Sequence, residues 1–188
     1  MHTILDPVVP FAQTIYEELR PGARIIVEGH VAEHNDHAED FTIELLSGPH
    51  VVLHLNFRFR HGPYKEKKLV ANTCTNGKWG IEVRHSNPLH KNDRFTIIIA
   101  VHETHYTIDV DNCCVGSYKH MVDYRTVQAI GIKGHVSIDK VKFEGFSFHH
   151  TWGNEYDYGH SGYQGYGTDY YNPPVFRHDH PYRHHFHD

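Results

Sequence analysis

The sequence predicts an all-β fold, a sandwich or a barrel, and three observations carry that prediction. Short segments with strand patterning recur along most of the chain, turn signals separate them, and helical periodicity is nearly absent. Pro21-Gly22 opens the first full strand, Arg24–Ala32, and the Asn35-Asp36 cluster closes it. Phe41–Ser47 and His50–Arg60 follow, divided by Gly48-Pro49, and His61-Gly62-Pro63 ends the second. Lys68–Thr75 and Trp79–His85 flank Asn76-Gly77, the strongest hairpin signal in the chain. Asn87-Pro88 and Asn92-Asp93 precede Arg94–Val101. Then come Tyr106–Asp111, Gly116–His120, Val127–Lys133 and Val136–Phe148, the last two parted by Lys133-Gly134. Thr14–Leu19 has the spacing of a single helical turn.

The chain of 188 residues suits one domain with some sequence to spare. At 39% hydrophobic and 22% charged it has enough apolar residues for a core. It has no apolar run of the roughly 18 residues needed to span a bilayer. MHTILDPVVPFAQTIYEELR lacks the basic start, apolar stretch and cleavage site of a secretory signal. Cys74, Cys113 and Cys114 are an odd set with no C-x-x-C spacing, which favours folding in a reducing cytosol over a disulfide framework. A net charge of −5 argues against a nucleic-acid partner. With 21 histidines and a pI near 6.5, the net charge changes sign in the range where His titrates.

Functional chemistry concentrates in HLNFRF, residues 54–59. Leu53, Leu55, Phe57 and Phe59 alternate with His54, Asn56, Arg58 and Arg60, so one face of the strand is apolar and the other wet. An incidental solvated face carries Lys, Glu, Ser and Thr. Here it carries an imidazole, an amide and two guanidinium forks, all directional hydrogen-bonding groups. Adjacent strands contribute Asn72, Trp79, Glu82 and Arg84, and antiparallel neighbours bring same-face residues together. A sugar needs this combination: planar polar groups for its hydroxyls and an aromatic plane for its C–H face. One central carboxylate is too few for a glycosidase, which usually flanks the scissile bond with two. Recognition without catalysis is the expected function, with no cofactor.

At these residues the sequence resembles the galectins, the β-galactoside-binding lectins. Their signature strands correspond here to His54-x-Asn56-x-Arg58, Val70-x-Asn72 and Trp79-Gly80-x-Glu82-x-Arg84. Flanking features agree, including Phe41-x-Ile43-x-Leu45, Tyr106-x-Ile108-x-Val110 and Gly134-x-Val136-x-Ile138. The resemblance implies a two-sheet antiparallel β-sandwich, a galectin-like jelly roll, with a carbohydrate-recognition domain over residues 10–150. It also implies site roles. His54, Asn56 and Arg58 would hold the axial 4-hydroxyl of galactose, Asn72 and Glu82 the 6-hydroxyl. Trp79 would stack on the ring, and Glu82 with Arg84 would reach the neighbouring sugar. The sequence departs from the family at Phe57, where many members have Pro, and at His120-Met121, where a His-Arg pair is usual. The expected partners are β-galactosides on glycoproteins or glycolipids, with no nucleic acid, no membrane insertion and no metal. The expected location is the cytosol, with export by a non-classical route. The alternative is a galectin-fold interaction module with weak or lost sugar binding.

Residues 151–188 differ from the rest. Val175 is their only aliphatic, while Gly, Tyr, His and Asp dominate. Such a segment offers little aliphatic surface to offset its ordering entropy, so disorder is expected across it. Its tyrosines and histidines suggest self-association, with a sheet edge as the other route to an oligomer. His102-Glu103-Thr104-His105 lacks a third ligand and reads as turn histidines. The tail histidines, including His178-Asp179-His180, are a compositional signal for loose metal binding only.

Overall fold

The computed structural model describes residues 1–32, 40–59, 66–148, Trp152 and 161–174. In chain order the strands are β1 (His2–Leu5), β2 (Phe11–Thr14), β3 (Arg24–Val31), β4 (Asp40–Ser47) and β5 (His50–Arg58). They continue with β6 (Lys68–Thr75), β7 (Lys78–Trp79), β8 (Val83–Ser86), β9 (Arg94–Val101) and β10 (His105–Val110). The last are β11 (Cys113–Lys119), β12 (Ala129–Gly134) and β13 (Val136–Glu144). A six-stranded sheet runs β1-β13-β3-β9-β10-β11. A seven-stranded sheet runs β2-β12-β4-β5-β6-β7, with β8 also paired to β6. Two separate sheets decide between the expected alternatives: the fold is an antiparallel sandwich rather than a barrel.

Alternating residues of both sheets fill the space between them. Phe41, Ile43 and Leu45 of β4, with Leu53, Leu55 and Phe57 of β5, meet Ile25, Val27, Ile97, Ile99 and Ile108 of the other sheet. Phe41 stacks on Phe57 with centroids 4.7 Å apart and on Phe95 at 5.5 Å. Phe57 therefore contributes core packing, and β5 runs unbroken through it to Arg58. Complete burial of one such ring is worth about 1.5–3 kcal/mol. With the odd residues of β5 fixed in the core, the two-residue period sends His54, Asn56 and Arg58 to the opposite face.

Three expectations are corrected. Thr14–Leu19 makes no helical turn: Thr14 ends β2, Ile15 donates its N–H to the Gln128 carbonyl at 2.7 Å, and Ile15 and Leu19 are core residues. Their four-residue spacing mimics a helical stripe, but inter-sheet burial sets it. Trp79–His85 is not one strand, because β7 stops at Trp79 and β8 begins at Val83. Disorder across 151–188 does not hold for 161–174, which packs against the outer face of the seven-stranded sheet. Tyr163 and Tyr166 form a second apolar cluster there with Leu46 and Ala129, supported by Ala12, Val51 and Tyr171. Trp152 also packs on the domain, 5.0 Å from the His2 ring and 5.3 Å from Phe143. Scarcity of aliphatics misjudges such a segment, since a tyrosine buries a large ring while its hydroxyl takes a hydrogen bond.

Candidate functional site

On the outer face of the seven-stranded sheet, β4 and β5 align three polar cross-strand pairs: Glu44 with His54, Thr42 with Asn56 and Asp40 with Arg58. The Glu44 carboxylate lies 2.6 Å from His54 Nδ1. Burial alone would raise the Glu44 pKa. The hydrogen bond and charge of His54, helped by Lys133 and Tyr166, reverse that and hold it below its ordinary value. An ionised Glu44 can only accept, so Nδ1 carries the proton and Nε2 faces outward, the one acceptor the ring has in its neutral form. Asn56, 3% exposed, donates through Nδ2 to Asp40 at 2.7 Å and to Thr42 at 3.0 Å. That fixes the amide orientation, and its Oδ1 accepts from Arg58 Nε at 2.6 Å. Buried groups thus set the direction of the partly exposed ones.

Arg58 Nη2 also donates to Glu82 at 3.4 Å, and Arg84 Nη1 reaches the other Glu82 oxygen at 3.3 Å. Arg84 further pairs with Glu66. Each such pair is worth little alone, about 0.2–1 kcal/mol, but the three pairs linked through four residues hold two guanidinium groups in place. Asn72, 5% exposed, donates to the Gly80 carbonyl at 3.0 Å and accepts from the Thr73 N–H at 2.8 Å. Its side chain clamps the backbone just where β7 ends, and so positions Trp79. The indole is 53% exposed and lies edge-on to the His54 ring, 4.7 Å between centroids. An exposed indole braced by a polar ring offers a flat apolar surface on which a ligand could stack.

All seven residues expected from the sequence, His54, Asn56, Arg58, Asn72, Trp79, Glu82 and Arg84, converge on this face. Asn56 and Asn72 serve chiefly to orient their neighbours. Arg60 lies outside the described residues. Sequence reading missed Asp40, Thr42 and Glu44, although D-F-T-I-E-L alternates as strictly as HLNFRF. Among the described residues no cluster of His, Cys, Asp or Glu is arranged to hold a metal ion. His102 and His105 instead stack on each other at 4.7 Å where β9 turns into β10. Cys74, Cys113 and Cys114 are free thiols.

A β-sandwich whose outer sheet face carries an oriented imidazole, interlocked guanidinium groups and an exposed indole is a carbohydrate-binding protein, a lectin without catalytic machinery. The family model of the galactoside-binding lectins matches residues 10–143, and the chain belongs to that family. "Probable galaptin lec-8" of Caenorhabditis elegans is 48% identical over 99% of this chain and all of that protein. A 32 kDa beta-galactoside-binding lectin of the same species is 34% identical over 73% of this chain and 48% of its own length. Among solved structures, C. elegans galectin LEC-6 superposes with a TM-score of 0.67 at 24% identity, covering 76% of this chain and 96% of that one.

Proposed function

We propose that the outer face of the seven-stranded sheet binds a β-galactoside through His54, Asn56, Arg58, Asn72, Trp79, Glu82 and Arg84. The observation that carries this is that buried Glu44 and Asn56 hold the half-buried His54 and Arg58 in place beside the exposed Trp79. His54 Nε2 accepts from a sugar hydroxyl while the Arg58 guanidinium donates to the same oxygen. An acceptor and a donor fixed in one geometry select an axial hydroxyl by direction, which separates galactose from glucose. Trp79 covers the C–H face of the ring, and Glu82 with Arg84 faces the next sugar. The site is built before the ligand arrives, which reduces the ordering cost of binding. Retention on immobilised lactose, with elution by free lactose and not by cellobiose, is the expected result. A folded protein that flows through would favour the alternative, an interaction module that has lost its sugar.

Self-association belongs to the same proposal, because one site per chain cross-links nothing without it. Tyr163 and Tyr166 are occupied within the chain, so the route is the remainder of the tail or a sheet edge. Three free thiols support synthesis in a reducing compartment with later export.

A further inference from the structure

Residues 161–174 sit on the same sheet face as the polar row, and they sit firmly. Tyr163 and Tyr166 are only 3% and 4% exposed. The Tyr163 hydroxyl accepts the Gly48 N–H at 2.6 Å and donates to Gln128 at 2.7 Å. Tyr166 lies on Gly131 of β12, where an added Cβ would fall 2.5 Å from the ring. Lys133, the next outward residue of β12, places its ammonium 5.3 Å from the centre of the same ring. The Tyr166 hydroxyl donates to one Glu44 oxygen, and the other holds His54. The segment is therefore two hydrogen bonds from the imidazole. It stands over β2, β12 and β4, while β6, β7 and β8 lie on the other side of β5.

Between this segment and Trp79 lies a cleft of about 360 Å³, near the lower end of ligand-sized pockets. Leu46, Val51 and Glu44 line it, with Trp79 on one side and Tyr171 and Asp169 on the other. A second cleft, of about 440 Å³, lies between the segment and β2, on the side away from Trp79.

We propose that residues 161–174 form a second wall of the glycan site and make the protein selective for galactose at the end of a chain. The inference rests on the galactoside reading above. A ring stacked on Trp79 can continue toward Glu82 and Arg84. On the β4 flank the wall leaves room for a small substituent in the cleft, and a continuing chain meets Tyr166 and Tyr163. Tyr171 and Asp169 are the specificity-determining residues, because they face Trp79 across the space a substituent would enter.

The test uses the full chain and two variants that unseat the wall from opposite ends. Gly131→Val thrusts a side chain into the Tyr166 ring, and Tyr163→Ala removes the anchor at Gln128 and Gly48. Titrations compare lactose with a linear tetrasaccharide carrying lactose inside the chain, extended from its galactose. The unaltered chain is expected to bind lactose at least tenfold more tightly than the tetrasaccharide. Each variant should narrow that ratio to within threefold, keep its lactose affinity within about threefold, and retain a cooperative thermal transition. Equal affinity of the unaltered chain for both ligands overturns the wall while leaving the galactoside reading intact. An unchanged ratio in a folded variant also overturns it, as does loss of both ligands together, which would make the segment a scaffold only. Failure of every form to bind lactose removes the galactoside reading first, and the wall with it.

Discussion

Glu44 is the residue on which the orientation of the polar row turns. It touches His54, Lys133 and Tyr166 and is nearly inaccessible. Glu44→Ala should weaken lactose binding at least tenfold, because Nδ1 loses its acceptor and Nε2 is no longer fixed. The same change should cost about 1–3 kcal/mol in chemical denaturation, the penalty of leaving buried partners unsatisfied. Its pH signature follows from a folded-state pKa held below the ordinary carboxylate value. The stabilisation is fully present above that ordinary value and is lost as pH falls through the depressed one. Glu44→Gln should therefore flatten the acid limb of the stability profile while changing neutral-pH stability less than Glu44→Ala. An acid limb identical to the parent's would show that the Glu44 carboxylate contributes no such stability. At this scale the convergence of the seven candidate residues was largely legible, because chemically distinctive residues at fixed intervals in three short sequence segments seldom coincide by chance. Asp40, Thr42 and Glu44 escaped notice since their role exists only across the β4–β5 register, which pairs each with a site residue.

The β6–β7 hairpin is the element that presents the platform. Asn76 and Gly77 adopt φ of 52° and 76°, the pair of positive angles a tight two-residue hairpin turn requires. Gly77→Val places a β-branched residue where L side chains are strained, so a loss of about 1–2 kcal/mol is expected in thermal unfolding. Asn72→Ala acts on the same element differently. It frees the Gly80 carbonyl and the Thr73 N–H, so Trp79 loses its bracing. Lactose affinity should fall about tenfold, a change worth roughly 1.4 kcal/mol, with the far-ultraviolet dichroism retained. Normal affinity in that variant would show that the indole is held by other contacts. The turn was readable in the sequence, but the interruption after Trp79 was not. Trp79, Ile81 and Val83 alternate with Gly80, Glu82 and Arg84 as a strand would, yet Ile81 is 90% exposed. A period-two pattern shows how side chains would alternate if the backbone were extended; it does not show that a partner strand continues. Ile15 and Leu19 misled in the same manner, their spacing helical and their backbone not.

Across the whole molecule, the sandwich was readable because strand patterning, turn residues and near-absence of helical periodicity all agreed. The C-terminal segment was not, because average composition weighs a tyrosine far below its buried worth when a glycine such as Gly131 makes room for the ring. Two consequences belong to this scale. Galactoside binding should survive EDTA unchanged, since the groups assigned to the ligand are amides, guanidinium groups, carboxylates and an imidazole. Agglutination of galactose-bearing cells should be stronger near neutral pH than at about pH 5.5, where the many histidines become cationic and repel one another. Equal agglutination at both values would show that histidine charge does not govern self-association.

Calorimetry on the full chain in EDTA addresses directly the proposed recognition of galactose by the direction of its hydroxyls. Methyl β-galactoside should bind saturably at one site per chain, with a dissociation constant in the micromolar to millimolar range, about 4–8 kcal/mol. Methyl β-glucoside, which differs at the 4-hydroxyl alone, should give no measurable heat, and Arg58→Ala or Trp79→Ala should abolish the galactoside signal without lowering the thermal midpoint by more than a few degrees. Equal binding of the two sugars, or a galactoside signal undiminished in both variants, would contradict the assignment of the site.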